Sequence, residues 1–147
     1  MFEYRSNDKP FFVLMTADCV SDVVTINRVI DSLAPGFREH WVPDGRELLK
    51  YLTRSGKYAD RLLYPEPDLV LFSDENSAVC SFRVLRIAKR YKLSKRVPFV
   101  LLSGSTRDSE RQLARRLGAR LFVQQPVDKR RFSEQLISLK EVCGRAA

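Results

Sequence analysis

The chain has 147 residues, 44% apolar and 30% charged, enough for one domain with its own core and no need of disulfide or metal staples. No apolar run approaches the roughly 20 residues that cross a bilayer, and the run nearest the start, Phe11 to Met15, is too short for a signal-peptide core; the expected location is the cytoplasm. The net charge of +8 suits either a solvated basic surface or an anionic partner: nucleic acid, a membrane surface or an acidic protein face.

Residues 1–10 are polar and expected to be a lead-in, with a domain over 11–142 and a tail over 143–147. Phe11 to Thr16 is an unbroken apolar run, as expected of a strand buried on both faces. Ala17 to Val20 forms a loop. Ser21 or Asp22 can cap a helix running to about Leu33, with Val23, Ile26, Ile30 and Leu33 on one face. Pro35 and Gly36 stop it. Phe37 to Val42 is a more polar strand, suited to a sheet edge. Asp44 and Glu47 are spaced as a capping box for a second helix that ends near Gly56, with Leu48, Leu49 and Leu52 inward. Lys57 to Pro67, with two prolines, is a long connection.

Leu69 to Phe72 is the second unbroken apolar run, closed by Ser73 and Asp74. Asn76 to Ser81 is a loop or helix start, and a third helix follows to about Tyr91, burying Val84, Leu85 and Ala88. Val97 to Leu102 is the fourth strand, and Ser103 to Thr106 a hydroxyl-rich turn. A fourth helix over Arg107 to Leu117 buries Leu113, Ala114 and Leu117, and Gly118 ends it. Ala119 to Val123 is the fifth strand, and the last helix covers about Asp128 to Val142. Strict β-α alternation with right-handed crossovers makes a doubly wound α/β fold, a parallel sheet with helices on both faces. Sites in such sheets lie beyond the carboxyl ends of the strands.

The residues at those ends are Ala17-Asp18, Ser73-Asp74, Ser103 and Gln125-Pro126, with Phe122 just ahead of the last pair. With Asp44-Gly45 and Gly118-Ala119, they resemble the receiver domain of bacterial response regulators, the CheY-like family, over Phe11 to about Val142. The resemblance implies a flavodoxin-like fold, strand order 2-1-3-4-5, and a place in two-component phosphorelay signalling. In the family an acidic pair helps to hold Mg²⁺, and Ala17-Asp18 keeps one acid of the two. The family's third strand ends in the aspartate that accepts a phosphoryl group. Ser73 stands in its place, and Asp74 comes one residue late, a slip that turns a strand side chain to the other face. Ser103 fits the hydroxyl that contacts the phosphoryl oxygens, and Phe122 the aromatic rotamer switch. Gln125-Pro126 replaces Lys-Pro, whose peptide bond is usually cis. The long connection before the third strand is similar to receivers serving phytochrome-type and other hybrid histidine kinases.

Phosphoryl transfer to a receiver rests on positioning and electrostatics: a carboxylate nucleophile, Mg²⁺ and a lysine. One acid of three and no lysine should bind Mg²⁺ weakly or not at all, and no other cofactor is expected. A lysine at position 125 would be left uncompensated, so the site is expected to be neutral and polar. Ser73 has no identifiable general base, so no catalytic residue and no enzymatic activity is expected. The first reading is a stand-alone, non-phosphorylated pseudo-receiver that binds a protein, such as a histidine kinase or other two-component protein. The second is a phosphotransfer-competent receiver using Asp74 off register, and the third a basic adaptor that touches nucleic acid.

Ser103, Ser105 and Thr106 could cradle an anion, but Ser105 and Asp108 are spaced as a capping box. His40 has no catalytic partner by spacing and reads as a surface residue. Cys19, Cys80 and Cys143 are odd in number with no C-x-x-C pair, as reduced thiols would be. Basic residues recur at helical spacing in Arg83, Arg86, Lys89 and Arg90, in Arg107, Arg111 and Arg115, and cluster at Lys129, Arg130 and Arg131. The resemblance assigns partner or homodimer contacts to the fourth helix, fifth strand and fifth helix, hence to Arg107, Arg111, Arg115, Lys129 and Arg130. No helix-turn-helix, zinc-finger or single-strand stacking signature is present, so a protein partner is expected and nucleic acid is not.

Overall fold

A computed structural model describes residues 9–17, 19–73 and 81–144. Five parallel strands, β1 (Phe11–Thr16), β2 (Phe37–Trp41), β3 (Leu69–Ser73), β4 (Phe99–Ser103) and β5 (Ala119–Gln124), form one sheet in the order β2-β1-β3-β4-β5. This is the doubly wound flavodoxin-like arrangement expected from the sequence. The helices are α1 (Val20–Ser32), α2 (Gly45–Leu52), α3 (Ser81–Arg90), α4 (Leu93–Arg96), α5 (Asp108–Arg116) and α6 (Lys129–Gly144), with a 3-10 turn at Gly56–Ala59. The single turn α4 was not foreseen, so the helices expected as fourth and fifth are α5 and α6.

β1, β3 and β4 are buried along their whole length because each is covered on both faces. Side chains alternate across the sheet. On one face Leu14, Val70, Phe72, Phe99 and Leu101 pack with α2, α3 and α5 through Leu48, Leu85 and Ala114. On the other, Val13, Met15, Leu69, Leu71, Val100 and Leu102 meet α1 and α6 through Ile26, Ile30, Phe132 and Leu136. β2 is an edge strand, as its polar composition suggested.

Local chemistry sets several boundaries differently from expectation. α1 starts at Val20 with Cys19 at the N-cap and no side-chain cap, so neither Ser21 nor Asp22 caps it. Asp22 lies inside the first turn, where a carboxyl group suits the helix dipole. Asp44 does cap α2, its Oδ1 accepting from Glu47 N at 2.9 Å, but the helix ends at Leu52. Ser105 and Asp108 form no capping box: Arg107 is the N-cap of α5, and Ser105 Oγ instead accepts from Arg107 N. Gly118 closes α5 with φ +105°, a backbone conformation that favours glycine, and a Cβ there would sit 3.2 Å from Ser94 Oγ on α4, a tight approach.

The long connection is built on aromatics. Tyr51, Tyr58 and Tyr64 pack mutually with centroids 5.0–5.8 Å apart, Tyr64 edge-on to the other two. The Tyr51 hydroxyl donates to Pro65 O at 2.7 Å, and burial pushes its pKa up to about 12. The Arg54 guanidinium donates to the Tyr64 carbonyl. His40 is not a surface residue: its ring is half-buried between Tyr51 at 5.8 Å and Tyr64 at 6.1 Å.

This packing can be tested at two positions. Phe72 is fully buried and meets Phe99 edge-on at 6.0 Å, so Phe72→Ala should cost about 3–5 kcal/mol in urea unfolding. For His40, burial lowers the pKa below the ordinary 6.5, and Lys57 and Arg38 lower it further. As pH falls the unfolded chain takes up this proton first, so the contribution is complete above about pH 6.5 and is lost towards the folded pKa. Glu39 works the opposite way: burial, then Asp31, raises its pKa above 4.5. The urea midpoint of wild type should therefore fall relative to His40→Phe between about pH 7 and pH 5.

Candidate functional site

The register brings the sequence-predicted residues to one end of the sheet. Thr16 pairs with Phe72, Ser73 with Leu102, and Ser103 with Gln124. Ala17, Ser73, Ser103 and Gln125 therefore follow or close the four adjacent strands at their carboxyl ends. Asp18 and Asp74 lie outside the described residues. By alternation, Ser73 continues the face of Leu69 and Leu71, towards α1 and α6, whereas Ser103 continues that of Phe99 and Leu101, towards α5. Both serines are buried, 6% and 3% exposed.

Gln125 is joined to the sheet through its backbone, its N–H donating to Ser103 O at 2.8 Å, and the Gln125-Pro126 bond is cis, as is Ala34-Pro35. Its side chain turns to α1. Gln125 Nε2 donates to Asp22 Oδ2 at 2.7 Å, and Val127 N–H donates to Asp22 Oδ1 at 3.1 Å. Asp22 is only 2% exposed, so a buried carboxyl group ties the turn after β5 to the first turn of α1 across more than 100 residues of sequence. Gln125 Oε1 is buried and meets no hydrogen-bond donor among the described residues.

Sequence reasoning passed over Asp22 by treating it as a helix cap. The available signal was an acid in the first turn on the face that carries Ile26 and Ile30, since position 22 is four residues before Ile26. Its position corrects the charge balance expected at 125. A lysine there would not be uncompensated, because the Asp22 carboxyl group is already in hydrogen-bonding contact with that side chain.

On the opposite face the β4–α5 turn satisfies its own polar groups. Ser103 Oγ accepts from Ser105 N at 3.1 Å. Gln124 Nε2 donates to Gly104 O at 3.1 Å, while Gln124 Oε1 accepts from Arg111 Nη2 at 2.7 Å. The Arg111 guanidinium also lies 5.0 Å from the Phe122 ring centroid. Phe122 is half-buried beneath it, against the core of that face. Arg107, Arg115, Lys129 and Arg130 are exposed, and Arg130 reaches Glu134 at 3.6 Å. Beside them, a groove of about 400 Å³ runs between β5 and α6, lined by Arg120, Leu121, Arg131 and Leu139 among others. Cys19 is half-exposed, its Sγ 3.1 Å from Ser21 Oγ.

Among the described residues no group of three or more His, Cys, Asp or Glu gathers where it could hold a metal ion. Asp22, the one described carboxyl group in this network, has both oxygens engaged. No described helix is long and apolar enough to cross a membrane.

Replacing Asp22 tests the network. Asp22→Ala leaves the Val127 N–H and Gln125 Nε2 without their acceptor, at about 1–3 kcal/mol for each buried group left unsatisfied. Urea unfolding should show that loss, and Asp22→Asn, which keeps one acceptor oxygen, should lose less.

Comparison with known proteins places this geometry. No protein-family model matches the sequence. The chemotaxis protein CheV2 of Helicobacter pylori is 30% identical over 111 residues, 76% of this chain. The chain spans about a third (33%) of the length of that relative. Among solved structures, the phosphorylated cyanobacterial phytochrome response regulator RcpA superposes with a TM-score of 0.76 at 21% identity, covering 94% of this chain and 96% of that one. A response regulator in red light signalling of R. palustris gives 0.74 at 23% identity, covering 89% and 91%. A CheY-like receiver domain protein of Methanospirillum hungatei gives 0.73 at 12% identity, covering 94% and 99%. At these identities the structural likeness establishes the fold, that of CheY-like receiver domains.

Proposed function

We propose that this chain is a receiver-like signalling module of a two-component system, not phosphorylated and acting by protein–protein binding. The observation that carries the reading is the pair of neutral residues at the strand ends. β3 closes on Ser73 rather than a carboxylate, and Gln125 holds the buried Asp22 instead of offering an ammonium to a phosphoryl group. Phosphoryl transfer needs developing negative charge to be met by a cation; position 125 offers a neutral amide, and the Arg111 guanidinium at the end of β5 is engaged by Gln124 and Phe122. Mg²⁺ binding is accordingly weak or absent, and the module is not an enzyme. The likeness to a chemotaxis protein, to a phytochrome response regulator and to a response regulator in red light signalling supports a place in two-component signalling.

The partner surface we assign is α5–β5–α6, where Arg107, Arg111, Arg115, Lys129 and Arg130 present positive charge to an acidic face of a histidine kinase or another two-component protein, or to a second copy. Phe122 sits under Arg111 within this surface, so partner contact and the state of the β4–α5 turn are mechanically connected.

Incubation with Mg²⁺ and a small-molecule phosphodonor, followed by intact-mass measurement, should give no phosphorylated protein. Near-stoichiometric phosphate on Ser73 or Asp74 would overturn the reading. Combining Ala17→Asp, Ser73→Asp and Gln125→Lys should produce Mg²⁺-dependent phosphorylation, because the scaffold is retained and only the charges are missing.

A further inference from the structure

We propose that the end of the molecule opposite the strand-end crevice, where α3, α4 and α5 finish, binds single-stranded nucleic acid. From Ser81 to Arg96 the chain carries seven basic residues, Arg83, Arg86, Lys89, Arg90, Lys92, Lys95 and Arg96, and no acid. The fold adds a second source. Lys89 Nζ donates to Arg116 O at 2.9 Å, fastening the end of α3 to the end of α5. Ser94 lies against Gly118, so α4 sits on the turn that follows α5. Arg115 and Arg116 thereby join the cations of α3 and α4 in one patch. Arg96 is the one cation of the patch neutralised among the described residues, by Glu66 at 2.7 Å. Arg86, Arg90, Lys92, Lys95, Arg115 and Arg116 are exposed and form no ion pair among the described residues.

Tyr91 decides between polyanions. It is 62% exposed, directly between Arg90 and Lys92. It stands on a turn held by Lys92, whose backbone is left-handed at φ 60°. An exposed aromatic face set among cations matches a single strand, whose phosphates pair with the guanidinium and ammonium groups while an unpaired base stacks on the ring. A duplex has its bases already stacked, and an acidic peptide has no base to place there. Tyr91 between two cations is legible in the sequence, but its exposure and the fastening of the end of α3 to the end of α5 come only with the fold, which is why nucleic acid is not expected from the sequence alone. The patch is remote from Ser73 and Gln125, so its test is independent of the phosphorylation state of the module.

The test is fluorescence anisotropy with a labelled oligothymidylate of about 15 nucleotides, a length set by the span of single-strand sites. Binding is expected with a dissociation constant on the order of 10⁻⁶ M at about 50 mM salt, weakening at least about tenfold at about 200 mM. Arg90→Gln with Arg116→Gln should flatten the logarithmic salt slope by about 1.4, at about 0.7 for each phosphate no longer neutralised. Arg28→Gln with Arg46→Gln, the same charge removed from exposed positions on α1 and α2, should change little. Tyr91→Ala should weaken binding about fivefold or more while leaving the salt slope intact. All these positions are exposed, and circular dichroism verifies folding. The proposal is overturned if the control pair weakens binding as much, or if Tyr91→Ala has no effect. It is equally overturned if a duplex binds more tightly than the single strand, or if poly-glutamate of equal charge competes as well as the oligonucleotide.

Discussion

A strand covered by helices on both faces has no side left for polar groups except its ends. β1, β3 and β4 meet this condition over their whole length, and the architecture follows from it. Apolar side chains occupy both faces, the helices divide into two layers, and serines, amides and the Asp22 carboxyl group gather where the strands stop. The edge strands β2 and β5 are released from the constraint, and they carry the exposed and half-buried polar residues of the sheet.

At the strand ends, polar groups withdrawn from water must find partners within the protein. Asp22 provides the clearest case. Its carboxyl group accepts from the Gln125 amide and the Val127 backbone, so α1 and the turn after β5 are held as one unit. The neutral amide at position 125 has a structural partner. The amide donates to a buried acid, and Gln125 Oε1 remains in the interior without a donor among the described residues. The side chain at position 125 thus anchors the first turn of α1.

The two faces divide the work. Towards α1 and α6 lie Ser73 and the Asp22–Gln125 pair; towards α5 lie Ser103, Gln124, Phe122 and Arg111. The β4–α5 turn is closed by its own hydrogen bonds and by the guanidinium above Phe122. Positive charge is distributed over both the α5–β5–α6 surface and the far end of α3, with Arg115 at the end of α5 common to the two.

The local sequence determined the β-α alternation, the buried strands and the neutral residue types at positions 73 and 125, because unbroken apolar runs, alternation and residue type are properties of neighbouring positions. It also located the Asp44 cap, whose geometry spans three residues. What only the tertiary structure decided involves residues far apart in the chain. Asp22 reads as a helix cap until β5 brings Gln125 to it from 103 positions away. His40 reads as exposed until Tyr51 and Tyr64 close around it. Arg111 and Phe122 lie on different elements, and Arg116 reaches Lys89 only once α3 and α5 pack side by side. Pairings of this kind depend on strand order and crossover, which place distant segments within a few ångströms, and no local pattern of residue types encodes that proximity.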